Sequence, residues 1–157
     1  MSINPNTLFL AGQVLTSDQA NRFPRGVMAF ASSPTNYTLT ASDALATGMT
    51  VTWSAVADRY YRITYYEPLV STPAVSGGVT NLRIKDGATT LQYGSIRTNS
   101  ATFTQGNVNV VLIATWATSA TRTLTGQVSV SSTTGTPLLN RASAYPAFML
   151  VEDIGPA

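Results

Sequence analysis

The feature that most constrains this chain is a hydrophobic period of two, repeated in short segments separated by turn residues. Met49, Val51 and Trp53 alternate with Thr50, Thr52 and Ser54. Successive side chains on a strand point to opposite faces, so this pattern makes a ribbon that is apolar on one side and polar on the other. Val108, Val110, Leu112, Ala114 and Trp116 repeat it over residues 107–116. Comparable segments run over 27–32, 37–40, 59–66, 79–84, 90–98, 121–131 and 148–153. Lys85-Asp86-Gly87 carries an Asp-Gly pair that favours a tight hairpin, and Ser131 to Pro137 reads as a loop. Eight to ten short strands with almost no helix predict an all-β fold, an antiparallel jelly-roll-like β-sandwich.

The first 26 residues break the pattern. Thr7-Leu8-Phe9-Leu10-Ala11-Gly12 is apolar but too short for a domain element. Thr16-Ser17-Asp18-Gln19 has the form of a capping box and predicts one or two helical turns through Asn21. Phe23-Pro24-Arg25-Gly26 stops any helix, because proline disfavours helical geometry in the residue before it. Residues 1–26 therefore read as an N-terminal docking arm, and 27–157 as the sandwich. The arm offers Phe9, Leu10, Val14, Leu15, Arg22, Phe23 and Arg25 to another protein. The alternative is a tail that packs on its own domain.

A chain of 157 residues, 44% hydrophobic, can bury one real core. Only 10% of residues are charged, against about 25% in an average domain, and Ser and Thr take the vacant polar positions. Such a surface costs little to bury against a partner. The formal charge is +2 and the basic residues are scattered, densest at Arg22 with Arg25, Arg59 with Arg62, and Arg83 with Lys85. Nucleic-acid binding needs a clustered basic face, so no nucleic-acid partner is expected. Residues 1–6 lack the positive start of a signal peptide, and the apolar run Val110 to Ala117 is far too short to span a bilayer. The expectation is a protein made in a cytoplasm, with no membrane insertion.

The chemistry available to such a chain is narrow. It has no histidine and no cysteine, which removes the usual general base, the commonest metal ligand and any thiolate. Its one lysine, Lys85, sits in the hairpin. Asp58 and Glu67 bracket one strand and would stand about 30 Å apart, too far for paired carboxylate chemistry. Glu152 and Asp153 are neighbours and read as solvated acids at a strand end. No catalytic residue, metal or cofactor is expected.

Two segments carry side chains suited to assembly. In Arg59-Tyr60-Tyr61-Arg62-Ile63-Thr64-Tyr65-Tyr66, one face holds Tyr61, Ile63 and Tyr65, and the other holds Tyr60, Arg62, Thr64 and Tyr66. A sandwich strand buries only one face in a monomer, and Tyr and Arg are enriched at protein interfaces. Ala147-Phe148-Met149-Leu150-Val151 is likewise apolar on both faces. Tyr60, Arg62, Tyr66, Phe148 and Leu150 are the candidate self-association residues. Tyr93, Trp116, Arg122 and Tyr145, near strand ends, are candidates for stacking on a ligand.

The segment Phe148-Met149-Leu150-Val151-Glu152-Asp153-Ile154-Gly155-Pro156 resembles the closing segment of small structural proteins from tailed phages of actinobacteria. The arm from Leu15 through Asn21 and Pro24-Arg25-Gly26 to Val27 is similar to theirs, as are Met49 to Trp53 and Arg59 to Ile63. The resemblance implies a virion protein with a jelly-roll-like domain in the style of trimeric tumour-necrosis-factor and complement-globular folds. The first expectation is a homotrimeric head decoration protein, or head fibre, whose arm docks on the major capsid protein. The alternatives are a minor tail or receptor-binding protein, touching tail proteins or a host-surface glycan, and a carbohydrate-binding module unrelated to phages.

Overall fold

A computed structural model describes Val14, Ala20 and residues 23–39 and 43–157, with the backbone alone for 43–47. The capping box at Thr16 to Gln19 lies outside these residues, as do Phe9, Leu10, Leu15 and Arg22 of the arm. The described residues form ten strands: β1 (Gly26–Ser33), β2 (Tyr37–Thr38), β3 (Asp43–Ala55), β4 (Arg59–Ser71), β5 (Val79–Asp86), β6 (Thr89–Arg97), β7 (Gln105–Ala114), β8 (Ala120–Val130), β9 (Leu138–Asn140) and β10 (Ala147–Pro156).

Two antiparallel sheets result. The first has six strands: β4 pairs with β7 along one edge and with β10 and then β9 along the other, β1 pairs with β10, and β2 with β9. The second runs β3-β8-β5-β6. The chain changes sheet between β2 and β3, β3 and β4, β4 and β5, β6 and β7, β7 and β8, and β8 and β9. This repeated crossing is the jelly-roll-like way of leaving few exposed sheet edges.

The period-two segments put their apolar sides between the sheets. Tyr61, Ile63 and Tyr65 of β4, Met149 and Val151 of β10, and Val108 and Val110 of β7 face Met49, Val51, Trp53, Leu82, Ile84, Leu124 and Val128 in one core. Strand bounds depart from the sequence reading in instructive places. β4 runs five residues beyond Tyr66, to Ser71. It absorbs Pro68 where its register with β7 shifts between Glu67 and Val70, so the missing N–H interrupts no regular ladder. The β5–β6 hairpin turns on Gly87 and Ala88, one residue later than the Asp-Gly pair implied. Gly87 takes φ +55° there, a value that a side chain would resist. β9 was not legible as a strand at all.

Gly126 lets the two sheets close. A Cβ built there would lie 2.8 Å from Met49 Cβ and 3.0 Å from the Tyr65 ring. The inward side of β8 can therefore hold nothing larger than hydrogen at this point. Gly126→Ala is expected to lower stability by about 1–3 kcal/mol through overpacking. Urea denaturation checks this, and a variant as stable as the parent would show that the sheets can separate at no cost.

Candidate functional site

The outer face of the six-stranded sheet gathers the residues singled out for self-association. Register places Phe30, Leu150, Thr64 and Val111 side by side across β1, β10, β4 and β7. The adjacent row is Ser32, Phe148, Tyr66 and Asn109, and the next is Val27, Glu152, Arg62 and Ile113. Phe148 is stacked on Phe30 at 6.3 Å and tilted against Tyr66 at 5.3 Å, so three strands share one aromatic ridge. Phe30, Val27 and Ile113 remain 62%, 63% and 58% exposed. Tyr60 and Thr115 border an open depression of about 560 Å³ at the edge of this face, with Asp58, Ala117 and Ala157. Sequence reasoning missed Phe30, Val111 and Ile113. Each is the outward residue of an ordinary alternating strand, and only the pairing register shows that they adjoin Leu150 and Phe148.

Charged groups flank this face in pairs. Arg62 Nε donates to Glu152 Oε2 at 2.9 Å on the surface. Arg59 and Asp153 form a buried pair: Nε donates to Oδ2 at 2.5 Å and Nη2 to Oδ1 at 2.8 Å. Arg59 Nη2 also donates to the Phe23 carbonyl at 2.6 Å, and the Gly155 amide donates to Asp153 Oδ1 at 3.0 Å. One guanidinium thus ties the start of β4, the end of β10 and the chain leaving the arm. This corrects the reading of Glu152 and Asp153 as solvated acids. On a strand they do point to opposite faces, but an arginine of β4 meets each of them.

At the far end of β4, Glu67 and Arg141 are fully buried and joined through Arg141 Nε to Oε2 at 2.9 Å and Nη2 to Oε1. Tyr65 Oη donates to Glu67 Oε1 at 2.6 Å, and the Arg141 amide donates to Asn36 Oδ1 at 2.6 Å. Burial, then the Glu67 carboxylate beside it, push the Tyr65 phenol well above its ordinary value, with Arg141 opposing. Sequence gave no sign of this cluster, since Glu67 and Arg141 are 74 residues apart.

The four candidate ligand contacts fall in three places. Trp116 packs at 5.7 Å on both Trp53 and Tyr61, and Arg122 lies over its ring at 5.2 Å while reaching Asp86 at 3.7 Å. The Trp116 ring is therefore largely occupied by the protein itself. Tyr93 stands 63% exposed on the outer face of β6, paired in register with Arg83. Tyr145, 48% exposed, closes the turn after β9 through a bridge to Ala142. Of the arm, Val14 and Phe23 are exposed at 88% and 44%, and Arg25 is exposed next to β1. Among the described residues, no three His, Cys, Asp or Glu side chains come together as a metal group.

No family profile matches the sequence, and no curated protein matches it. Solved structures with a similar chain path include Eiger TNF from S. frugiperda, at 9% identity and a TM-score of 0.46, covering 85% of this chain and 96% of that one. The infectious bursal disease virus VP2 subviral particle is similar at 11% identity and a TM-score of 0.40, over 85% of this chain and 39% of that one. A carbohydrate-binding module of Cellvibrio mixtus lichenase 5A, in complex with cellotriose, follows at 15% identity and a TM-score of 0.26, over 80% and 96%. Likenesses of this order concern the course of strands and say nothing of what the chain does.

The buried cluster generates two expectations. Glu67→Gln strands the Arg141 charge in the core and should cost about 3–5 kcal/mol, read as a lower urea midpoint. The Tyr65 phenol holds its proton in the folded state where the unfolded chain would release it. Its contribution to stability is therefore complete below the ordinary phenol value of about 10 and is lost as pH rises through the folded value. The melting temperature should fall above about pH 10, and more shallowly in Tyr65→Phe. Equal slopes in the two proteins would remove Tyr65 from the account.

Proposed function

We propose that this chain is a structural protein of a bacteriophage virion, a trimeric head decoration protein, and not an enzyme. It self-associates through the outer face of the six-stranded sheet and docks on the major capsid lattice through its N-terminal arm. The observation that carries the reading is the apolar array on that face. Phe30, Val27, Val111 and Ile113 are exposed beside Phe148, Tyr66 and Leu150. An antiparallel sheet facing water is ordinarily polar on that side, and contiguous apolar patches on soluble proteins mark interaction sites. A symmetric oligomer is the common way for one chain to cover such a patch. Three-fold symmetry and the phage setting come from the sequence resemblance.

The arm supplies the second contact. Its last residues are anchored where Arg59 holds the Phe23 carbonyl, so whatever the arm grips is coupled to β4 and β10. The alternative reading places the same domain at the tail tip, against tail proteins or the host surface. The exposure of Tyr93, on the other sheet, and of Tyr145 favours keeping it.

Light scattering should give three times the subunit mass at concentrations well above micromolar, and Ile113→Lys should give a single subunit. Saturable binding to undecorated capsids should be lost on deleting residues 1–22, while the circular dichroism of the β-domain stays unchanged. A monomeric parent protein would end the self-association reading. Trimers that ignore capsids but bind host cells would replace the head role with the tail role.

A further inference from the structure

The inward side of β8 begins on a charge. Register pairs Trp53 of β3 with Arg122 of β8, and both lie on the side of their strands that carries Val51 and Leu124 into the core. Directly opposite residues have Cβ atoms about 5 Å apart, so the two side chains start out as neighbours between the sheets. Trp53, Tyr61 and Trp116 wall this end of the sandwich, with ring centroids 5.7 to 5.8 Å apart. The connections β3–β4 and β7–β8 are tied together beside it: the Ala57 amide donates to Ser119 Oγ at 2.9 Å, and the Asp58 amide to the Trp116 carbonyl at 3.0 Å.

Among the described residues, the buried side-chain nitrogens without a hydrogen-bond partner are Trp53 Nε1 and Arg122 Nε, and both belong to this cluster. Trp53 is 4% exposed. Buried N–H groups are nearly always bonded, to protein or to something the protein holds. Arg122 does have an acid beside it. Asp86 Oδ2 lies 3.7 Å from Nη1, beyond hydrogen-bond reach and on the guanidinium edge away from the Nε proton. Both unmet groups are donors only. The Tyr61 hydroxyl is already engaged by the Val56 amide at 2.7 Å. A ligand here must therefore accept twice. An anion does so with no protons of its own to place, and the guanidinium charge favours it. A buried water makes about three bonds and would need acceptors for its two protons, among walls made chiefly of aromatic rings.

We propose that this end of the sandwich binds a small monovalent anion, a halide or a free carboxylate, between Trp53 Nε1 and Arg122 Nε. The Arg122 side chain is 23% exposed, which gives an anion a way in from solvent without parting the sheets. Bound there, it joins β3 to β8 beside the Trp116 ring over which Arg122 lies. The proposal depends on this cluster alone and stands apart from the virion reading.

The chain has two tryptophans and both are in the cluster, so the indole fluorescence of the full chain reports on this site. With sodium sulfate holding the ionic strength constant, sodium bromide should quench that fluorescence along a saturating curve. Chloride or acetate should relieve the quenching by competition, and whichever competes better distinguishes halide from carboxylate. Arg122→Met should weaken bromide binding about tenfold or more, the scale of one charge-assisted hydrogen bond, with circular dichroism unchanged. Trp53→Phe keeps Trp116 as reporter and should weaken it as well. A crystal of the unaltered chain grown in bromide gives a reading that needs no variant: an anomalous peak in contact with both nitrogens. Quenching that rises without saturation, is relieved by neither competitor or is unchanged in Arg122→Met overturns the proposal, as does a crystal with only water at the two nitrogens.

Discussion

A carboxylate removed from water must meet a cation, and this constraint organises the fold around its central strand. Arg59 opens β4 and Glu67 lies near its far end, and each is buried and bonded through two atoms to a partner from a distant part of the chain. Buried pairs of this kind add little net stability over an apolar packing of the same shape. What they do is penalise every arrangement in which the partners do not meet. Asp153 at Arg59 sets how far β10 extends, and Arg141 at Glu67 sets where the short strand β9 joins the sheet. The edge of β4 that carries β10 and β9 is thereby pinned at both ends, and the ladder along it has one register.

With the register fixed, the outward residues are fixed too. Phe30, Leu150, Thr64 and Val111 form a row only because β1, β10, β4 and β7 are aligned as they are. A slip of one residue in β10 would turn Phe148 and Leu150 inward and expose Met149 and Val151. The two buried ion pairs therefore act at a distance on the surface. Arg59 adds the end of the arm to this arrangement through the Phe23 carbonyl.

The two outer faces differ because their strands were composed differently. β4, β10, β1 and β7 set many aromatic and aliphatic residues among Ser32, Arg62, Thr64, Asn109 and Glu152 on their outward side, while β3, β8 and β5 alternate apolar with Thr, Ser, Gln, Asn, Arg and Lys. Burial of one side is common to both sheets and comes from the same hydrophobic drive. The remaining side is free of that demand, so its chemistry reflects what it touches.

Period-two patterning made most strands legible, together with the inward set Tyr61, Ile63, Tyr65, Val108 and Val110 and the outward set Tyr60, Arg62, Tyr66, Phe148 and Leu150. The reason is local: alternation on one strand depends on that strand's own geometry. β9 escaped notice because three residues hold no period, and β4 continues past Tyr66 because its register shift with β7 takes in Pro68. The ion pairs, the Phe30 to Ile113 extension of the apolar face, and the Arg122 stacked on Trp116 were invisible. Each joins residues from different strands, and partner choice between strands is a long-range decision that no local pattern encodes. The sequence by itself determined which residues could face inward and that acid–base chemistry was poorly supplied. Tertiary structure decided which outward residues became neighbours, because adjacency on a sheet face follows from strand order and register.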